Sequence, residues 1–72
     1  MENEDNIYNE VYVVFDLLEN MYVRYLNLYE DNVYTHRICS AQEFRTELDA
    51  TLECKENGLG CFRIDKIYIL DY

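Results

Sequence analysis

Glu43, Glu47, Asp49 and Glu53 are the side chains of this sequence whose type and spacing carry most chemical meaning. On a helix, residues one turn apart lie about 5–6 Å from each other between Cβ atoms. Glu43–Glu47 and Asp49–Glu53 would then be pairs of like charge, with Arg45 relieving only Asp49. A solvated helix face is one reading of such a row. The other is a row of anions held for a basic partner. Duplex DNA carries about one charge per 1.7 Å of axis, so carboxylates at this spacing could occupy a groove built for phosphates. Glu30 and Asp31, or Glu56, would extend the row. Tyr22, Tyr25 and Tyr29 are candidate anchors beside it, because tyrosine combines an apolar ring with a wet hydroxyl.

Other chemistry finds little support. The chain has one histidine, no glycine loop to cradle phosphate and no nucleophile elbow. His36 and Cys39 would diverge on a strand, so a Cys–His couple is not expected. No catalytic residue and no cofactor are therefore predicted. His36, Cys39, Cys54 and Cys61 are the ligand types that zinc takes, but intervals of two, fourteen and six residues do not match the common zinc modules. Three reduced thiols are expected in a chain without a secretory signal. A Cys54–Cys61 bridge across the glycine turn is the alternative.

The charge balance narrows the partners. Fifteen acidic residues face six basic ones, for a net charge of −9. Such a chain repels phosphate, which argues against direct binding of nucleic acid or of an anionic membrane. A basic protein surface is its complement. Met1-Glu2-Asn3-Glu4-Asp5 is acidic where a signal peptide is basic. No apolar run reaches the length of a membrane span. A cytoplasmic protein is expected, in the host cytoplasm if the chain is phage-encoded. Seventy-two residues make one small domain, read as an acidic tail over 1–8 and a folded unit over 9–72. A chain of that size buries only about 60% of its unfolded surface. Half of its residues are hydrophobic, which is enough to fold.

The elements that must position the carboxylates follow from periodicity. Ser40 and Glu43 have capping-box spacing, and Ala41, Phe44, Leu48 and Leu52 form one apolar stripe at helical intervals. Asn57-Gly58 supplies a stop. The pattern predicts a helix over about residues 41–55 with that stripe buried. Before it, Val11, Val13, Phe15 and Leu17 alternate with Tyr12, Val14, Asp16 and Leu18, as in a strand rich in β-branched and aromatic residues. Glu19-Asn20 is a tight connection, residues 21–28 a second strand, Asp31-Asn32 a turn and residues 33–38 a third strand. A single long helix over 8–30 is the rival, since Val11, Val14, Phe15, Leu18, Tyr22, Tyr25 and Tyr29 also follow helical spacing. Cys61 to Tyr72 is the clearest strand, with Phe62, Ile64, Tyr68 and Leu70 on one side. Ile67 and Ile69 on the other side suggest a second face that is partly covered. The fold class expected is α+β: a small antiparallel sheet in the order βββαβ, with one amphipathic helix on one face.

A small, very acidic, tyrosine-rich domain with this order of elements resembles phage-encoded inhibitors of host nucleic-acid enzymes. These include uracil-DNA glycosylase inhibitors and anti-CRISPR proteins. One glycosylase-inhibitor type has a hairpin, a helix and a closing strand, which here correspond to residues 9–29, Ser40–Lys55 and Phe62–Leu70. The extra strand at 33–38 departs from that pattern. The resemblance implies an inhibitor that mimics DNA on the basic nucleic-acid site of a larger enzyme or effector complex. The alternative is a structural or assembly module that homodimerises through the spare sheet face, with Ile67 and Ile69 in the contact.

Overall fold

Valine, tyrosine and phenylalanine in close alternation favour the pleated backbone, where branched and aromatic side chains pack on a half-buried surface. In the computed structural model, which describes residues 8–26 and 31–70, these runs form strands. Along the chain come β1 (Tyr8–Asp16), β2 (Met21–Tyr25), β3 (Val33–Thr35), a 3-10 turn (Ile38–Ser40), α1 (Glu47–Glu56) and β4 (Phe62–Leu70). The class is α+β, with a four-stranded antiparallel sheet in the spatial order β3-β2-β1-β4 and one helix. The long-helix alternative is replaced by β1 and β2.

Strands β1 and β4 form the frame. They pair residue for residue from Tyr8↔Leu70 to Asp16↔Phe62, with no bulge. Opposed residues in an antiparallel pair share a face. Tyr12, Val14, Phe62 and Ile64 therefore look toward the helix, and Val14 joins Val23, Leu26, Phe44, Ala50, Cys54 and Leu59 in the core. Val11, Val13 and Phe15 share the other face with Ile69, Ile67 and Arg63. That face is partly covered, as expected: Val13 is fully buried, while Val11, Phe15, Ile67 and Ile69 are half-buried.

The β1–β2 turn is held by one carboxylate. Asn20 takes the left-handed conformation, φ 60°, which asparagine tolerates better than most residues. Its N–H donates to the Asp16 carbonyl at 2.7 Å. Asp16 Oδ1 accepts from the N–H groups of Leu18 and Glu19, at 2.9 and 3.3 Å. The Tyr34 hydroxyl donates to Asp16 Oδ2 at 2.8 Å. Asp16 is only 5% exposed, and these bonds replace the water it loses. Leu17 and Leu18 lie in this turn and are exposed, so the strand ends before them.

The segment ahead of α1 departs most from expectation. Strands β1 and β2 pair only at Phe15↔Tyr22 and Asp16↔Met21. Residues 42–44 then bridge the two strands. The Gln42 N–H donates to the Val23 carbonyl at 2.9 Å, and Phe44 and Tyr12 exchange backbone bonds of 2.8 and 2.9 Å. Gln42 Oε1 accepts from the Leu26 N–H at 3.3 Å. These bonds hold residues 42–44 extended, so no helix can start at Ser40. The helix begins instead at Thr46, whose Oγ1 accepts from the Asp49 N–H at 3.0 Å. Ser40 sits in the 3-10 turn, and Glu43 lies outside α1, so their capping box does not form. The third strand stops at Thr35, and Ile38 belongs to the 3-10 turn rather than to a strand.

Moving the helix start also turned the helix. Ala50 and Cys54 are its buried residues. Leu48 and Leu52, expected in the core, are 65% and 51% exposed. Ala41 and Phe44 are buried as expected, but from outside the helix. A helix that buries only alanine and cysteine needs little space above the sheet, and free cysteine packs as a small apolar group. It ends at Asn57, and Gly58 follows with φ 82°, the left-handed backbone glycine adopts without penalty.

Candidate functional site

The turn of α1 decides what the protein shows to solvent. At about 100° per residue, burial of Ala50 and Cys54 aims Leu52 outward, with Leu48 and Glu56 to either side. Asp49 and Glu53 follow on the Glu56 flank. Glu43 joins them from the extended segment. Glu43, Asp49, Glu53 and Glu56 line one open hollow of about 490 Å³, together with Gln42, Phe44, Arg45 and Leu52. Four acidic residues and one arginine thus line it. All four are exposed, and among the described residues none is in a salt bridge. The salt bridges of those residues lie elsewhere, Arg63–Asp65 at 2.8 Å and Lys66–Glu10 at 3.8 Å.

The candidate residues separate on this geometry. Glu43, Asp49 and Glu53 come together and Glu56 extends them, although the Glu43–Glu47 helical pair does not exist. Glu47 is exposed in the first turn of α1, away from the hollow's lining. Its carboxylate and that of Asp49 favour the positive end of the helix dipole. Asp31 is exposed just ahead of β3 and does not line the hollow. Tyr22 packs edge-on against Phe15, with ring centroids 5.0 Å apart, on the sheet face opposite α1. It is not an anchor beside the acidic row. Tyr25 is 55% exposed at the end of β2. Tyr29 and Glu30 lie outside the described residues.

Leu48 and Leu52 are the residues that sequence reasoning put in the wrong place. Their i, i+4 spacing signals an apolar ridge in either orientation, and only the position of the N-cap tells which way it faces.

The remaining reactive groups are dispersed. Cys39, Cys54 and Cys61 are free thiols. Burial, with the charges of Asp16 and Glu53 behind it, pushes the Cys54 thiol up to about 11, so it stays protonated at neutral pH. Tyr34 is raised from its ordinary value by burial and then by its bond to Asp16. Among the described residues no three of His, Cys, Asp and Glu are grouped to hold a metal ion, so His36, Cys39, Cys54 and Cys61 do not form the zinc set their types would allow. No described helix is long and apolar enough to cross a membrane.

No family model, no curated protein and no solved structure matches the chain.

Proposed function

We propose that this chain is a non-enzymatic binding protein that docks the exposed face of α1 on a basic surface of a nucleic-acid-binding protein and so inhibits it. The single observation that carries this reading is a hollow lined by four acidic residues and one arginine beside the bare leucine ridge of α1. Carboxylates alone are ordinary on so acidic a chain. Leu52 at this exposure, beside Glu43, Asp49, Glu53 and Glu56 and one turn from exposed Leu48, has the composition of a contact with an apolar centre and a charged edge. The carboxylates would steer the encounter and compete with phosphate for lysine and arginine, and the leucines would slow dissociation.

The experiment is capture of nucleic-acid enzymes on the immobilised chain, followed by affinity measurement across salt concentration. Binding that competes with DNA or RNA and weakens as salt rises supports the reading, because exposed charge is screened. Affinity unmoved by salt, or unmoved by Glu53→Lys with Asp49→Lys, rules out charge mimicry. Loss of affinity on Leu52→Ala at unchanged salt dependence identifies the apolar anchor.

A further inference from the structure

We propose that the sheet face opposite α1 carries a second contact site, a cleft that takes a lysine or arginine side chain of the basic partner. This rests on the reading of the chain as a binder of a basic surface, and it extends that contact to the far side of the sheet. The cleft has a volume of about 470 Å³ and is lined by Ile38, Cys39, Glu43, Ile67, Tyr68 and Ile69. Strand β4 supplies one side of it and the 3-10 turn with the extended segment behind it the other. Ile67 and Ile69 are half-buried, and Ile38 is exposed. Such a size, with walls mostly apolar and few polar groups, is usual for a site that encloses a small organic group.

Glu43 is the charged residue of that lining. Its neighbour Phe44 pairs with Tyr12 and packs in the core on the helix side of the sheet. Side chains alternate along an extended backbone, so Glu43 turns toward the other face, which Val13 shares with Ile67 and Ile69. Among the described residues Glu43 is in no salt bridge. The cations of β4 are engaged elsewhere, Lys66 with Glu10 at 3.8 Å and Arg63 with Asp65 at 2.8 Å. Arg45 lies on the same side of the extended segment, but it lines the neighbouring hollow with Glu10 and Val11 and not the cleft. Glu43 also lines the hollow beside α1, so the two sites meet at this residue.

Charge selects the occupant. Isoleucine walls around one carboxylate suit a group that is apolar along its length and cationic at its tip. Lysine and arginine side chains have that form, because their methylene stems cover apolar surface while the charged head reaches out of it. A net charge of −9 favours a cation in the cleft and disfavours an anion or a second copy of this chain. The ion pair at Glu43 is open to water and adds modest affinity. Its larger effect is on specificity, since an acidic side chain placed there by a wrong partner is repelled.

The test titrates the full chain with n-pentylammonium, which has the form of a lysine side chain, and with pentanol and pentanoate as its neutral and anionic counterparts. Isoleucine and leucine methyl NMR shifts at low salt report where each probe binds, with far-UV circular dichroism as the fold control. Expected are saturable shifts at Ile38, Ile67 and Ile69, with pentylammonium bound about two- to fivefold more tightly than pentanol and pentanoate least. Glu43→Gln, an exposed change, should erase the preference for pentylammonium, and Leu52→Ala on α1 should leave it. Equal binding of pentylammonium and pentanol overturns the inference. So does a preference that survives Glu43→Gln, or a set of shifts confined to Leu48 and Leu52. Any of these failures leaves salt-dependent capture through α1 untouched. Capture that does not depend on salt overturns the basic-partner reading and this occupant together, whatever the probes show.

Discussion

Among single residues, Asp16 and Cys54 are the two whose environments make measurable demands. Asp16 is a buried carboxylate satisfied by two backbone N–H groups and the Tyr34 hydroxyl. Tyr34→Phe removes one bond to a charged acceptor and should cost about 1.5–3 kcal/mol in denaturant unfolding. Asp16→Ala should cost more than Tyr34→Phe, because it also orphans the turn. Cys54 is buried and its thiol is raised from 9.0 to about 11. The folded state holds that proton where the unfolded state releases it. Its contribution is therefore complete below about pH 9 and declines as pH rises to about 11, by on the order of 2–3 kcal/mol. The measurement is the difference in alkaline stability loss between wild type and Cys54→Ala. A smaller loss in the variant is expected. Native-state alkylation should modify exposed Cys39 and Cys61 and spare Cys54 until the chain unfolds.

At the scale of the element, α1 turns on which residue caps it. Thr46 provides the oxygen that the Asp49 N–H uses, so Thr46→Ala should cost about 1 kcal/mol. Ser40→Ala should stay within about 0.5 kcal/mol, as for a surface change without a special role. The leucines give a sharper contrast. A helix with Leu48 and Leu52 in the core would lose about 2–5 kcal/mol on each leucine-to-alanine change. With both side chains in solvent, each change should move the unfolding midpoint little. A large loss for either would mean that α1 buries the other face. Sequence periodicity could not choose between these faces, since Ala50 and Cys54 also stand one turn apart.

On the scale of the whole molecule, charge and the two sheet edges govern behaviour. A chain of net charge −9 with a hollow lined by four acidic residues and one arginine repels itself. Moderate salt should therefore raise its thermal midpoint, and would weaken the proposed contact with a basic surface. Stability that falls with added salt would show that the carboxylates are held in favourable pairs. The sheet shows a second asymmetry. Its β3 edge is short and irregular, and its β4 edge is long, regular and open.

Much of this architecture was legible in the residues themselves. Val11 to Phe15 and Phe62 to Ile69 announce strands by alternation and branching, and Asn20 and Gly58 mark where the backbone reverses. These properties are local or additive, so they survive without knowledge of the fold. The start of α1, the side it buries and the company of Glu43 are not local. Each follows from Tyr12 and Val23, distant in sequence, which claim the backbone of residues 42–44 and hold it extended. Hydrogen bonding to the sheet outweighed a capping box worth little more than a bond or two. That contest exists only once the strands are assembled, and it turned Leu48 and Leu52 from core into surface.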